Sequence, residues 1–234
     1  MISRIFGKKK DGAAQVFLEL AADGSRGVKM RRWMVLCLGL SACAEAPYGE
    51  SISYNARNPN PIDVVMPTDA PSITQQFRPA QDTVFDGATT DAHVGLDVHA
   101  PRGTPVLAAA PGRVRRAFFD PAYGHTLELD HGADESGLRV VTRYLHLSNR
   151  DVVAGDRVAR GRQIGQLGAS GVLSGGFLHL HFEVIRARPE GGSEAMDPHL
   201  FWVEGVGRVT CFEPGRKIPL SPFRTTYPVV CRGG

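Results

Sequence analysis

An antiparallel, mostly β domain with little helix is the fold class this 234-residue sequence predicts. Three observations carry the expectation. Between about Ser72 and Trp202, apolar and polar residues alternate with a period near two in short runs: TPVLAAA, GRVRRAFF, HTLELDH, LRVVTRYLHL, RQIGQLG and LHLHFEV. Glycine punctuates the gaps between those runs, where turns form. No segment keeps a 3.6-residue amphipathic period over 12 or more residues.

Taken in order, residues 1–42 read as a leader with a signal-like segment from about residue 30. Met30-Arg31-Arg32 precedes WMVLCLGLSAC, an apolar run far shorter than the roughly 20 residues of a membrane-spanning helix. Its end, Leu40-Ser41-Ala42-Cys43, resembles the lipobox of bacterial lipoproteins, in which the cysteine becomes the lipidated first residue. The expected location is therefore the periplasmic side of a bacterial membrane, with a lipid anchor on Cys43. A short buried apolar segment is the plainer alternative. The 29 residues before Met30 are not signal-like, so either Met30 is the true start or the signal is non-functional.

Residues 43–71 are rich in Pro, Asn, Ser and Asp and read as a tether. Residues 72–202 are the β domain. Residues 203–234, with prolines and aromatics in no clear period, read as an irregular strap. Of four cysteines, Cys37 lies in the apolar run and Cys43 at the lipobox, which leaves Cys211 and Cys231. In an oxidising compartment that pair would close a loop of about 20 residues, stabilising the tail by roughly 3 kcal/mol; two free thiols are the alternative.

The formal charge of +3 is unevenly placed. Residues 1–32 hold eight Lys/Arg against three Asp/Glu, whereas residues 43–234 hold 19 against 21. No basic run interleaved with aromatics appears beyond the leader, which argues against nucleic-acid binding.

In LHLHFEV taken as a strand, Leu178, Leu180 and Phe182 face one side, and His179, His181 and Glu183 the other. The two imidazoles are then about 6–7 Å apart, which suits one on a metal and the other beside it, facing a substrate. Alone, H-x-H is also what a solvated strand face looks like. In DAHVGLDV, residues 91–98, Val94, Leu96 and Val98 are expected inward, and His93, Gly95, Asp97 and His99 outward. His93 and Asp97 would lie about 13 Å apart in a straight strand. A bulge or kink at Gly95 can bring them together. RYLHLSN adds His146. Imidazole and carboxylate donors suit zinc, and three protein ligands leave a fourth position open, as a catalytic site requires. No H-E-x-x-H is present, so proton transfer falls to extra histidines.

H-x-G-x-D at 93–97, Y-L-H-L-S at 144–148 and H-L-H-F-E at 179–183 together resemble the lysostaphin-like or LytM-type zinc endopeptidases that cut peptidoglycan. G-T-P-V at 103–106, Asp130-His131-Gly132, G-D-x-V at 155–158, G-x-Q-I-G at 161–165 and Asp197-Pro198 agree, so the resemblance covers about residues 73–200. It implies a compact antiparallel sheet whose loops wall a groove, with His93, Asp97 and His181 on zinc and His146 and His179 as the catalytic pair. The implied substrate is the stem peptides of the bacterial cell wall. Leu178 and His125 depart from residues usual in the family and bear on groove shape.

The remaining histidines read more simply. His131 is expected to make a structural hydrogen bond, His99 and His125 to lie at the surface or line the groove, and His199 to be at the surface. Glu183 either orients His181 or its neighbours, or is a solvated or cross-strand paired carboxylate. A non-catalytic module that activates another wall hydrolase is the competing function. G-D-R-V-A-R-G-R-Q-I-G also resembles the hybrid strand-turn motif of biotin and lipoyl carriers. Those need an exposed lysine, and none occurs between residues 43 and 216.

Overall fold

A computed structural model describes residues 48–51, 60–79 and 92–232. The signal-like segment, Cys37 and Cys43 lie outside the described residues. The strands in chain order are β1 (Ile73–Gln75), β2 (Leu96–Val98), β3 (Pro105–Leu107), β4 (Gly112–Asp120), β5 (Gly124–Ala133), β6 (Arg139–Leu147), β7 (Asn149–Arg150), β8 (Arg157–Val158), β9 (Gln163–Gln166), β10 (Leu180–Ala187) and β11 (Ser193–Met196). Two single 3-10 turns, Val172–Ser174 and Pro198–Leu200, are the only helical elements among the described residues. All strand pairs are antiparallel. They form an eight-stranded sheet in the order β1-β2-β10-β6-β5-β4-β8, with β11 also on β10, and a three-stranded sheet β3-β9-β7.

Alternation in the central strands divides the large sheet into an apolar and a polar face. Leu180, Phe182 and Val184 of β10 are buried in the core with Leu96, Val98, Leu127, Leu129 and Tyr144. The intervening His181 and Glu183 pair in register with Leu145 and Arg143 of β6 on the polar face. A one-residue slip would turn the imidazole into the core, so apolar burial sets the register that presents it.

The alternation expected over residues 91–98 breaks at its start. Leu96 and Val98 are buried, but Val94 is 39% exposed and lies outside β2. The chain bends at Gly95, where a Cβ would lie 2.5 Å from the Phe182 carbonyl oxygen and 2.8 Å from His181 Nε2. Only glycine permits that approach of β2 to β10. Val94 therefore belongs to the turn and loses the inward direction that a continuous strand would give it.

Residues 203–232 contain no strand or helix and are held by isolated contacts. Val229 bridges Val106, and Thr226 N–H donates to the Ala109 carbonyl at 2.8 Å. The Tyr227 hydroxyl donates to the Pro71 carbonyl at 2.6 Å. Cys211 and Cys231 are disulfide-bonded, with Cα atoms 6.1 Å apart. Upstream, Val65 bridges Arg208, and Asn60 Nδ2 donates to Asp197 Oδ2 at 2.7 Å.

His199 corrects the expectation of a surface residue: it is fully buried. Trp202 Nε1–H donates to its Nδ1 at 2.9 Å, so its Nε2 carries the proton and donates to Gln76 Oε1 at 2.7 Å. Its backbone N–H donates to Asp197 Oδ1, which caps the 3-10 turn that swings the ring inward. Burial pushes its pKa down to about 4 from 6.5. Unfolding exposes an imidazole that takes up a proton below pH 6.5, so this part of the stability is complete above that pH. It declines as pH falls, until the folded pKa near 4 is passed. Denaturant titrations should record a loss on the order of 3 kcal/mol from His199 alone between those pH values. A flat profile there would contradict the neutral, doubly bonded ring.

Candidate metal centre

Asp97 of β2, His181 of β10 and His93, which precedes β2, point their polar atoms at one spot. His181 Nδ1 lies 2.8 Å from Asp97 Oδ1, His93 Nε2 lies 3.1 Å from the same oxygen, and the two nitrogens are 3.2 Å apart. His181 and Asp97 are direct register partners across β10 and β2. His93 is brought in by the bend at Gly95 and by backbone bonds in both directions with Arg78.

The opposite nitrogen of each imidazole is already engaged. His93 Nδ1–H donates to the Gln76 carbonyl at 2.8 Å, which leaves Nε2 with its lone pair toward the cluster. His181 Nε2 lies 3.2 Å from Glu183 Oε1 and donates to it, which leaves Nδ1 inward. Glu183 is buried and accepts from Arg143 Nη1 at 2.9 Å through its other oxygen. Burial rules out the solvated reading of Glu183, which both contacts His181 and pairs across the sheet with Arg143. Such outer hydrogen bonds fix tautomer and ring direction in metal sites.

The electrostatics favour a cation between these atoms. Burial raises the pKa of Asp97, but hydrogen bonds and charge from His181 and His93 outweigh it and hold the carboxyl well below the usual range. Burial lowers that of His181, yet Asp97 and Glu183 push it up to about 9. A positive charge is thus stabilised where the lone pairs meet. Donor atoms of a tetrahedral ion at 2.0–2.1 Å are roughly 3.3 Å apart, close to the separations here. His93, Asp97 and His181 could therefore hold a metal ion, and two nitrogens with one oxygen fit zinc.

His146 and His179 stand beside the cluster. Their ring centroids are 4.8 Å apart, and His146 is 6.3 Å from His181. His146 Nδ1–H donates to the Ser170 carbonyl at 2.9 Å, and His179 Nδ1–H to the Phe177 carbonyl at 3.0 Å. Each keeps Nε2 free of backbone partners; that of His179 is 3.8 Å from Asp97 Oδ1. Burial pushes the pKa of His146 down to about 4 and also lowers that of His179, so both are neutral at neutral pH. His146 is the one non-glycine with positive φ among the described residues, at 62°. Its N–H donates to the Tyr123 carbonyl at 3.0 Å, which holds this uncommon backbone in place.

The other histidines take no part in the cluster. His131 makes the structural bonds expected of it, with Nδ1–H to the Pro111 carbonyl at 2.7 Å and Nε2 2.8 Å from Thr142 Oγ1. His99 lines a groove of about 460 Å³ with Asp97, His179, Leu173 and Phe177. His125 packs edge-on to Phe119. Gln76 and Ser170, whose carbonyls orient His93 and His146, had no signature in the sequence, because any residue can supply a backbone oxygen.

Residues 91–198 match Peptidase family M23. They are an M23 peptidase domain. Among curated proteins, the chain is 32% identical over 137 residues to the peptidoglycan DD-endopeptidase ShyC of Vibrio cholerae, covering 58% of this chain and 30% of that one. It is 37% identical over 107 residues to ShyA of the same organism, covering 45% and 23%. It thus spans under a third of the length of these relatives. Among solved structures, the catalytic domain of lysostaphin from Staphylococcus simulans is 28% identical with a TM-score of 0.40, covering 53% of this chain and 85% of that one.

Proposed function

We propose that the M23 domain is a zinc-dependent endopeptidase that hydrolyses peptide cross-links of bacterial peptidoglycan. The observation that carries this is the convergence of the His93, Asp97 and His181 lone pairs beside two further neutral imidazoles. The named activity of ShyC and ShyA points to the same substrate. All five side chains are present, which favours an enzyme over a docking module.

His93 Nε2, Asp97 Oδ1 and His181 Nδ1 would hold the ion. When bound, zinc supplies Lewis acidity toward a carbonyl oxygen and toward water. His146 and His179, neutral and with Nε2 free, can accept a proton from the attacking water, return it to the leaving amine, or donate to a developing oxyanion. The side chains of His179 and Asp97 are only 12% and 9% exposed, which limits solvent around those transfers. The proposal extends to export and lipid anchoring at Cys43, in keeping with a wall substrate. Purified zinc-loaded protein should release cross-link fragments from isolated cell wall, identified by mass; intact wall after prolonged digestion would count against the activity.

Glu183 offers a separate check. Glu183→Gln keeps the shape but loses the charge that holds His181 Nε2–H. Chelator competition should show metal affinity falling by about 10- to 100-fold, with the fold retained. Unchanged affinity would reduce Glu183 to a partner of Arg143.

A further inference from the structure

A second polar concavity lies between the β4/β8 edge and the C-terminal strap, and shares no residue with the metal centre. Its volume is about 600 Å³, and its charged lining is Arg113, Arg157, Arg160, Arg224 and Asp130. Arg113 of β4 and Arg157 of β8 are direct antiparallel register partners. Like charges placed opposite each other in that way repel. Arg113 donates to the Gly155 carbonyl at 3.1 Å, Arg160 to the Ala109 and Arg224 carbonyls at 2.6 and 2.9 Å, and Arg224 to the Phe223 carbonyl at 2.8 Å. Backbone carbonyls aim these guanidiniums but do not neutralise them.

None of the four forms an ion pair among the described residues. Asp130 is already engaged: one oxygen accepts from Gly132 N–H, and the other pairs with Arg139 at 3.4 Å. The nearby Glu135 carboxylate accepts from Phe223 N–H. A neighbouring polar pocket on the sheet makes the contrast. There Arg116, Arg139 and Arg143 all pair with carboxylates, and only Arg115 does not. Since residues 43–234 carry slightly more acid than base, the positive charge here is local.

We infer that this pocket binds a phosphate group. A carboxylate satisfies one guanidinium fork, whereas a tetrahedral dianion can accept from several at once. Its negative charge also relieves the Arg113–Arg157 repulsion, so binding and folding are coupled. The pocket is large enough for a phosphorylated sugar, polyol or lipid headgroup, and Leu220 at its rim is 78% exposed.

The test titrates the full chain with inorganic pyrophosphate by calorimetry, with acetate at equal ionic strength as control. Saturable binding is expected, weakened about tenfold or more in Arg157→Gln and again in Arg157→Gln/Arg224→Gln. Arg115→Gln, in the other pocket, should bind as the parent does. Without phosphate, Arg157→Gln should raise Tm by about 1–3 °C by removing the like-charge pair, and pyrophosphate should abolish that advantage. Sedimentation with phosphatidylglycerol vesicles separates the sources. Arginine-dependent vesicle binding that excess pyrophosphate competes away assigns a lipid headgroup, and pyrophosphate binding with no arginine-dependent vesicle binding assigns a soluble or polymer-borne phosphate. No saturable binding to either, equal competition by acetate, or indifference to the two arginine substitutions overturns the proposal.

Discussion

His146→Asn is expected to keep its metal and its fold while wall hydrolysis falls by about 10²- to 10⁴-fold, the usual contribution of a general acid or base. Asparagine is chosen because it tolerates the positive φ of 62° that alanine would resist. The companion, His181→Ala, should lose both metal and activity, since it removes one of the three convergent lone pairs and leaves Glu183 without its imidazole partner. Metal content by mass spectrometry, measured beside digestion of cell wall, separates the two roles. Full activity in His181→Ala would sink the zinc mechanism. A His146→Asn protein that lost metal would make His146 a fourth holder of the ion rather than a proton carrier. The pH profile supplies a further check. Burial keeps His146 neutral down to about pH 4, so its competence as a base should persist through mildly acidic pH and fail as pH drops through that value.

Trp202→Ala should destabilise the fold by about 3–5 kcal/mol in urea titrations, as large cavities in packed cores do. Trp202 is fully buried and meets Tyr227 edge-on. Its loss also leaves His199 Nδ1 without a donor. Trp202→Phe isolates that second effect: it keeps most of the packing and should cost about 1–3 kcal/mol for the orphaned nitrogen. A chain of hydrogen bonds carries the consequence to the candidate metal centre. Trp202 holds His199, His199 Nε2–H holds the Gln76 side chain, and the Gln76 carbonyl orients His93. Metal affinity should therefore weaken in Trp202→Phe at temperatures where the protein remains folded. Parent-like affinity there would show that β1 positions the Gln76 carbonyl without help from the core.

Much of this arrangement was legible in the chain. Alternation in LHLHFEV placed Leu180 and Phe182 opposite His181 and Glu183, because a strand has a strict period of two and one face must be buried. Gly95 announced a break between His93 and Asp97, because no other residue can bring backbone so close to a neighbouring strand. The alternation overreached at Val94, where the bend removed the periodicity that the inference needed.

What composition and spacing could establish was the β class, the residue types of the site and the strands that present them, since local periodicity and ligand chemistry are properties of short segments. The folded arrangement added the rest. Convergence of His93 and His181, 88 positions apart, depends on which strands become neighbours. The tautomers of all four site imidazoles depend on hydrogen-bond partners that are backbone carbonyls in three cases and Glu183 in the fourth. His199 looked like a surface residue after a proline turn, and it became a buried link because Asp197 caps the turn inward. Four arginines scattered from Arg113 to Arg224 became one pocket only when the strap crossed the β4/β8 edge. Contacts between distant segments are set by packing of the whole core, and no short window of sequence contains that information.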